Sequence, residues 1–174
     1  MRFERSRDYA LIRAIITTEQ LYRAAADDFT PPAESYVLNE SEAVHYILVR
    51  SDGGFHALPP AVRQHGDRRI ADGETLGLFA FVPHNRVCWE MHTCLLPVAW
   101  GRSEQAMKGV IRWIFDHTEC RRIIGCAPVS NGLVLRLAVR AGLTKYGVNE
   151  KSFLKGGVLL DQVCLGISKE DLCL

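Results

Sequence analysis

The sequence lacks a long hydrophobic run and a block of like charge, and each absence excludes a class of protein. No apolar stretch approaches the roughly 18 residues that a membrane-spanning helix needs, and the charged N-terminal stretch, 1–8, is unlike a secretion signal. Lys and Arg total 21 against 20 Asp and Glu, so the formal net charge of +1 is spread along the chain. This balance creates no field that attracts nucleic acid or an anionic membrane. We therefore expect a cytoplasmic protein with no nucleic acid and no membrane as partner.

The six cysteines also lack the spacing that metal centres and disulfide frameworks use. No C-x-x-C pair is present, and His92, the histidine near two of them, has no further ligands around it for zinc. We expect no metal, and we interpret the cysteines as buried thiols in a reducing environment. They are Cys88, Cys94, Cys120, Cys126, Cys164 and Cys173.

What the chain does have is enough apolar material for one core. With 174 residues, 48% of them hydrophobic, it is long enough for one domain and too short for two comfortable ones. Neither an internal repeat nor a low-complexity tract divides the sequence. We expect a single domain over residues 1–174.

The first half of the chain predicts helix followed by strands. Apolar residues recur every three or four positions across 8–28, which indicates two short helices or one bent helix. Runs of aliphatic and aromatic residues at 43–50, 76–82 and 87–96 indicate strands. Between the first two strands lies a polar insert, 51–73, which we interpret as a loop that is either a mobile lid or a decorative excursion.

The second half of the chain alternates strands and helices. A stripe of apolar residues predicts a helix that begins near Ala106 and ends at about His117. Asn131 can cap a further helix, and Gly142 stands where a helix needs a left-handed terminator. Strands are predicted over 121–127, 143–152 and 158–167, the last two joined by the turn Lys155-Gly156-Gly157.

This order of elements predicts the fold class. Helices, three strands, a helix, a strand, a helix and two strands fit an α/β (α+β) domain with a mixed, mostly antiparallel twisted sheet of about six to seven strands flanked by about four helices. One strand-helix-strand crossover is predicted, over 87–127. The chemistry should concentrate there, because a strand end that faces a helix N-terminus offers free amides to a phosphate or a carbonyl.

Three segments of this region resemble a known family. They are Glu90 to Pro97, Trp100 to Ala106, and Asn131 followed by Ala141-Gly142-Leu143. In order and spacing over 76–167, the chain resembles the GNAT acetyltransferases, and most of all their ribosomal-protein alanine acetyltransferase branch. The resemblance implies a single GNAT-like domain with acetyl-CoA as cosubstrate. It also implies a donor-binding core over 76–143, in which the fourth and fifth strands splay apart to admit the pantetheine arm.

The resemblance further implies which residues meet the donor. The strand end formed by Cys94, Leu95 and Leu96 would contact the acetyl and pantetheine groups. Asn131 would hold the pantetheine arm or the acyl carbonyl, a role compatible with helix capping. The pyrophosphate would lie at the start of the following helix, where amides and the helix dipole favour an anion. The residues of this cradle are Gly101, Arg102, Ser103, Glu104, Gln105 and Ala106.

Several positions depart from the family pattern. Ser103 and Gln105 replace small residues in the phosphate loop, and Glu104 adds a negative charge there. Ala138 stands where many relatives carry the tyrosine that protonates the departing thiolate, which leaves water or Tyr146 as the proton donor. These departures motivate an alternative: a catalytically degenerate GNAT-like module, accessory or phage-related, that binds protein or senses acyl-CoA.

The central strand carries the candidate catalytic residues. Strand residues two apart share a face, so Glu90, His92 and Cys94 project together. Acetylation of an amine needs a base for the ammonium proton, and we predict Glu90 as that base, with His92 assisting it or serving in its place. A structural hydrogen-bonded pair of Glu90 and His92 is the alternative. We interpret Cys94 as an inert buried thiol and His84 as a turn residue.

The sequence thus predicts an acetyl-CoA-dependent N-acetyltransferase that moves an acetyl group directly to an amine of a small molecule or a peptide. The unidentified amine acceptor is expected in a groove between the first helices, the 51–73 insert and the last hairpin. A homodimer through that hairpin is left open as an alternative to a monomer.

Overall fold

The computed structural model describes residues 1–56 and 68–173, so the middle of the predicted insert, 57–67, lies outside the described residues. The side chains of 54–56, 68–69 and 173 are likewise outside the description. Short 3₁₀ helices cover Ala33–Ser35, Pro97–Arg102 and Lys169–Cys173. The other elements are β1 (Arg2–Ser6), α1 (Tyr9–Ile16), α2 (Glu19–Ala25), β2 (His45–His56), β3 (Arg68–Pro83), β4 (Cys88–Leu95), α3 (Ser103–His117), β5 (Arg122–Pro128), α4 (Gly132–Arg140), β6 (Thr144–Lys155) and β7 (Val158–Ser168).

The strands form one seven-stranded sheet in the order β1-β2-β3-β4-β5-β7-β6. Neighbouring strands are antiparallel except β4 and β5, which are parallel and are connected through α3. This is the mixed, mostly antiparallel sheet with one crossover that the order of elements predicted. The predicted fold class is confirmed.

Helices cover the two faces of the sheet unequally. A larger apolar cluster joins the sheet to α3 through residues such as Ile114 and to α4 through Ala138, while a smaller cluster joins it to α1 through Ile12. Side chains alternate along a strand, so β2 contributes Ile47 to the larger cluster and Leu48 to the smaller one. The two clusters therefore lie on opposite sides of the sheet and share the strands β2 and β3.

The helix ends follow the local signals in the sequence. The N-terminal region forms two separate helices, α1 and α2, and Asp8 caps α1 by accepting a hydrogen bond of 3.0 Å from the Leu11 amide. His117 ends α3 as predicted, and Gly142, with a φ of 105°, follows the end of α4 in the left-handed region. In the described part of the chain, no helix is long and apolar enough to cross a bilayer.

One edge strand, β1, was not predicted. Its five residues are mostly charged and exposed, and Phe3 is its one large apolar side chain. Phe3 packs on α3 at Gly109, where an added Cβ would lie 2.5 Å from the ring. An edge strand with one large apolar side chain has no hydrophobic alternation that would indicate it in the sequence.

The loop interpretation of the 51–73 insert is wrong for its described flanks. Both flanks extend strands, because β2 continues to His56 and β3 begins at Arg68, and the two pair along this length. The described part of the ladder is mostly polar, with Ile70 as its one large buried apolar side chain, and its register is irregular near Arg50, so no regular apolar alternation marks it. The flank also lies beside the start of α3, where Asp52 accepts a hydrogen bond of 3.2 Å from Arg102, and so borders the predicted donor side rather than the acceptor groove.

The last hairpin is fastened to the end of α2. The Asp28 carboxylate accepts hydrogen bonds of 2.8 and 2.7 Å from the amides of Gly156 and Gly157, whose φ values of 60° and 75° form the predicted turn. In the opposite direction, the Lys155 ammonium of the hairpin donates a hydrogen bond of 3.0 Å to the carbonyl of Ala26. We call these contacts the α2–hairpin clasp.

The cysteines are not uniformly buried. Cys120 is buried, whereas Cys126 is exposed, so the prediction of a buried thiol is wrong for Cys126. The reason is that Cys126 lies on the side of β5 opposite α3 and α4. Among the described residues, no group of three His, Cys, Asp or Glu side chains is arranged to hold a metal.

Candidate active site

The parallel ladder between β4 and β5 is short. Its last residue pair is Glu90 with Ile124, although β4 continues to Leu95 and β5 to Pro128. Beyond that pair, β4 remains paired with β3 and β5 with β7, so the two strands part. This is the splay that the family resemblance implied, and Glu90 stands where it opens.

The Glu90 carboxylate lies between two imidazoles. Its Oε2 is 2.9 Å from Nε2 of His84, and its Oε1 is 3.9 Å from Nε2 of His92. The Glu90 side chain is 28% exposed, whereas those of His84 and His92 are 49% and 55% exposed. The structure therefore brings the predicted pair together, adds His84, and gives the partly shielded carboxylate two neighbours that reach solvent.

His84 reaches Glu90 because of the hairpin between β3 and β4. Asn85 shapes the turn by accepting a hydrogen bond of 2.9 Å from the Cys88 amide, and His84 donates its own amide to the Cys88 carbonyl at 3.0 Å. Val82 is the register partner of Glu90, so His84, two residues beyond Val82, is the diagonal neighbour of Glu90 on the same face. The prediction that His84 is a turn residue accounts for its backbone hydrogen bond and misses the contact of its side chain with Glu90. The signal that could have found the contact between His84 and Glu90 is the register of the hairpin, because counting back across the turn from Glu90 places His84 on the same face.

Polar groups and thiols continue this face onto β5, β6 and β7. The Arg122 guanidinium lies 5.4 Å from the centroid of the Tyr146 ring. Burial raises the pKa of the Cys126 thiol to about 12, and neighbouring Cys164 and Glu90 add to the shift. Burial also raises the pKa of Tyr146, to which Cys126 contributes. The face beside Glu90 thus carries the Tyr146 phenol and the Cys126 thiol, which both keep their protons at neutral pH.

At the end of β4, the backbone groups already have partners. The Leu96 amide donates to the Leu76 carbonyl at 3.0 Å, so by alternation Cys94 and Leu96 direct their backbone toward β3 and Leu95 directs its own toward the splay. There the Leu95 carbonyl accepts a hydrogen bond of 3.2 Å from the Trp100 indole. The Cys94 thiol packs against the smaller cluster, and burial raises its pKa to about 12.

The residues that were predicted to form a phosphate-binding loop are helical in the structure. The 3₁₀ helix Pro97–Arg102 leads directly into α3, which begins at Ser103. Proline favours the first position of such a turn, and the Ser103 hydroxyl donates to the Trp100 carbonyl at 3.2 Å. Ala106 is fully buried against the core. The predicted loop 101–105 is therefore the N-terminal turn of α3 and the helix that precedes it.

This helix start faces an open depression of about 530 Å³ with a surplus of positive charge. Glu104 is neutralised, because Lys108 and Arg140 each bond to its carboxylate at 2.8 Å. The hydrogen bond from Lys108 is the largest cause that lowers the pKa of Glu104, and Arg140 adds to it. The depression is lined by Gly101, Arg102, Glu104, Gln105, Lys108, Gly109 and Arg112.

Two other predicted donor contacts have defined partners in the chain. Arg102, whose side chain is 14% exposed, donates from Nε to Gln105 at 3.2 Å and from Nη2 to Asp52 at 3.2 Å. Asn131 caps α4, because its side-chain oxygen accepts a hydrogen bond of 3.3 Å from the Val134 amide. The capping role of Asn131 is thus confirmed, whereas its contact with a pantetheine arm stays a prediction.

No protein-family model matches the chain, and no curated protein matches it in sequence. Solved structures do match. A chimera of the spermidine N-acetyltransferase of Vibrio cholerae is similar with a TM-score of 0.70 over 100% of both chains, at 14% sequence identity. The Vibrio cholerae enzyme in complex with CoA and spermine matches with a TM-score of 0.64 and 14% identity, over 99% of this chain and 98% of that one. A GNAT-family acetyltransferase from Bacillus anthracis matches with a TM-score of 0.55 and 16% identity, over 76% of this chain and 69% of that one.

Similarity of this kind concerns the fold. At these identities the chains share backbone architecture, and an activity has to be argued from the site. The chain has the GNAT fold that the sequence predicted. The assignment to the ribosomal-protein alanine acetyltransferase branch stays a prediction.

Proposed function

We propose that the chain is an acetyl-CoA-dependent N-acetyltransferase that transfers the acetyl group directly to an amine. The observation that carries the proposal is the Glu90 carboxylate at the opening between β4 and β5, 2.9 Å from His84. A carboxylate in this position can remove a proton from an amine that enters the splay. Solved structures with the same fold include acetyltransferases, which supports the same reaction class.

The cluster around Glu90 provides a route for the proton. An amine is protonated at neutral pH and cannot attack a carbonyl until the proton leaves. Glu90 accepts that proton, directly or through water, and the half-exposed imidazoles of His84 and His92 connect Glu90 to solvent, where the proton is released. Acetyl-CoA supplies the thioester carbonyl that the free amine attacks.

The start of α3 fits the anionic end of acetyl-CoA. Lys108 and Arg140 together outweigh Glu104, Asp52 meets the charge of Arg102, and Arg112 adds a further positive charge, so the depression is positive. The first amides of α3 and its dipole favour an anion at the same place. In this proposal Ser103, Gln105 and the preceding Gly101 contribute backbone rather than side-chain contacts.

The departing thiolate needs a proton donor. Ala138 is 5% exposed within the larger cluster and offers none. Tyr146 lies on the same side of the sheet as Cys126 and is 52% exposed, and its raised pKa keeps the phenol protonated at neutral pH. Tyr146 and water are therefore the two donors in this proposal, as the sequence predicted.

The acceptor groove is proposed between the α1–α2 region and the β6–β7 hairpin, with the α2–hairpin clasp fixing its rim. One similar structure binds spermine, so polyamines belong in a test panel together with peptide N-termini. The flanks of the 51–73 insert lie at α3 and are left out of this groove.

Binding and catalysis are tested separately. Trp100 bonds to the strand end that would meet the donor, so acetyl-CoA is expected to change the fluorescence of Trp100 and to raise the melting temperature. Trp100→Phe is the control, because it should keep the thermal shift and lose most of the fluorescence change. No stabilisation at millimolar acetyl-CoA would contradict the proposal.

Catalysis is measured as release of the CoA thiol with spermidine, spermine and a peptide with a free N-terminus. Glu90→Gln is expected to lower kcat by about 100-fold or more, with acetyl-CoA binding unchanged, because general base catalysis contributes roughly 10²–10⁴-fold. Absence of thiol release across the amine panel would contradict the enzyme.

One observation favours the alternative of a non-catalytic module. The Trp100 indole donates a hydrogen bond to the Leu95 carbonyl, and Arg102 donates one to Asp52. Groups expected to contact the donor are therefore bonded within the chain. An acyl-CoA sensor would show the thermal shift with no turnover. A protein-binding module would show neither, and a defined complex on gel filtration instead. The homodimer through the β6–β7 hairpin also stays a proposal, with light scattering as its test.

A further inference from the structure

Two cysteine thiols meet on the sheet at a place that the proposed acetyl transfer does not use. Cys126 on β5 and Cys164 on β7 are register partners, and their Sγ atoms lie 3.1 Å apart. Cys126 is exposed and Cys164 is half-buried, so small molecules in solution reach the first of them. The contact is between two free thiols.

The strand register places this pair where a cross-strand disulfide fits. The Val129 amide donates to the Asp161 carbonyl at 2.9 Å, which marks these two residues as a hydrogen-bonded pair of the antiparallel ladder. Hydrogen-bonded and non-hydrogen-bonded pairs alternate, so Cys126 and Cys164, three steps along, form a non-hydrogen-bonded pair. In such pairs the Cα atoms approach to about 4.5 Å, within the range of about 4.4–6.8 Å that disulfides span. Formation of a disulfide between Cys126 and Cys164 therefore needs rotation of the two side chains and little movement of the strands.

We propose that Cys126 and Cys164 are a redox-active dithiol that closes to a disulfide by exchange with a low-molecular-weight disulfide such as oxidised glutathione. The Cys126 thiolate attacks one sulfur of the glutathione disulfide and releases one glutathione thiolate. The Cys164 thiolate then attacks the Cys126 sulfur of the mixed disulfide and releases the second glutathione. Two protons leave the protein thiols, the dithiol is oxidised by two electrons, and one glutathione disulfide is reduced to two glutathione molecules.

The surroundings of the pair make this exchange slow at neutral pH. Burial raises the pKa of Cys126 to about 12, with Cys164 and Glu90 adding to the shift, and the thiolate is the species that reacts. The pair therefore responds to a lasting change in the thiol–disulfide balance and stays reduced in a reducing compartment. Glu90 on β4 and Tyr146 on β6 are the titratable groups that interact with the pair, and Arg122 and Cys88 interact in turn with Tyr146.

The test uses the full chain in glutathione buffers that range from reduced to oxidised, followed by acid quenching, alkylation and mass spectrometry. Alkylated thiols are expected to fall from the six of the sequence to four, with peptide mapping that joins Cys126 to Cys164. Dithiothreitol should restore all six. The rate of closure should rise about tenfold per pH unit, because the thiolate fraction does so below the pKa.

Serine variants provide the controls. Cys126→Ser and Cys164→Ser should each form no internal disulfide and should gather a glutathione adduct on the remaining thiol. Cys88→Ser removes the neighbouring thiol and should keep the disulfide. The oxidised wild type should melt at a higher temperature than the reduced form, and the double variant should melt at one temperature in both buffers. Six alkylatable thiols in every buffer, or a disulfide that maps to Cys88, would each overturn the proposal.

Discussion

At the scale of single residues, the two imidazoles beside Glu90 are not equivalent. His84 lies within hydrogen-bond distance of the carboxylate at 2.9 Å, whereas the 3.9 Å between His92 and Glu90 is too long for a hydrogen bond. His84 therefore fixes the position of the carboxylate, and His92 contributes mainly through its charge when it is protonated.

Substitution of His84 tests this difference. His84→Ala removes both the hydrogen bond and the exchangeable proton, while His84→Gln keeps an N–H donor and loses proton exchange. We expect His84→Ala to lower kcat/KM about tenfold, since one hydrogen bond to a charged group is worth about 1.5 kcal/mol at an exposed site. His84→Gln should lower kcat/KM as well, because its amide cannot pass a proton on. The measurement is the pH profile of kcat/KM.

The controls separate positioning from proton exchange. His117→Gln, at a histidine stacked on Trp113 with ring centroids 4.6 Å apart, should leave the profile unchanged. Full recovery of activity in His84→Gln would show that His84 only positions Glu90.

A different histidine, His45, should make the stability depend on pH. His45 lies against Trp89 with ring centroids 4.5 Å apart and the rings tilted by 42°, and burial, with help from Arg5, lowers the pKa of His45 to about 4. The unfolded chain takes up a proton near the ordinary pKa of about 6.5, so the folded state loses stability as the pH falls from about 6.5 to about 4. The wild type should lose up to about 2 kcal/mol more than His45→Phe between about pH 7 and pH 5 in urea denaturation. Parallel curves for the two proteins would contradict the shift.

The limits of prediction at this scale are set by strand register. His92 could be predicted beside Glu90 because alternation within one strand requires no further knowledge. His84 could not, since its approach to Glu90 depends on where the hairpin turns. Cys126 and Cys164 are 38 positions apart and meet only because β7 pairs with β5. Neighbours within an element follow from spacing, whereas neighbours across a sheet follow from register.

At the scale of secondary structure, the end of β4 is held by a close approach to β3. Gly77 on β3 has a φ of 135°, and an added Cβ would contact the Cys94 carbonyl and lie 2.7 Å from the Leu95 Cα. The obstructing atoms are backbone atoms, which cannot rotate away. The shape of the splay therefore depends on a glycine in the neighbouring strand.

Gly77→Ala should disturb this strand end. We expect a loss of about 2–3 kcal/mol in the free energy of unfolding, from the unfavourable φ and the displaced backbone, together with loss of the thermal shift by acetyl-CoA. Gly147→Ala is the matched control, because an added Cβ at Gly147 meets no heavy atom within 4 Å. Its loss should stay below about 1 kcal/mol. Equal behaviour of the two variants in urea denaturation would contradict the argument.

The elements themselves differ in how far the sequence could predict them. The end of α3 at His117 and the terminator Gly142 could be predicted because apolar periodicity and a left-handed glycine are local signals. The strand β1 and the flanks of the 51–73 insert could not, since mostly polar strand segments carry no regular apolar alternation. Their pairing is fixed by backbone hydrogen bonds to β2 and β3.

At the scale of the whole molecule, the two apolar clusters cannot unfold separately. Successive residues of β2, such as Ile47 and Leu48, belong to opposite clusters, so the loss of one cluster removes the strand that supports the other. This arrangement is that of one cooperative unit.

Calorimetry tests this unity, and with it the prediction of a single domain over residues 1–174. We expect one transition in which the calorimetric and van't Hoff enthalpies agree, because β2 and β3 contribute side chains to both clusters. Two resolved transitions, or a calorimetric enthalpy well above the van't Hoff value, would show that the clusters separate.

The α2–hairpin clasp sets an order of events during biosynthesis. Asp28 leaves the ribosome 128 positions before its partner Gly156. At about 5–20 residues per second, the end of α2 waits on the order of ten seconds for the hairpin that fastens it. Until β7 is made, β5 also exposes an unpaired edge to other nascent chains. The nascent chain therefore passes through a period in which the β5 edge of the sheet is unpaired and open to association with other chains.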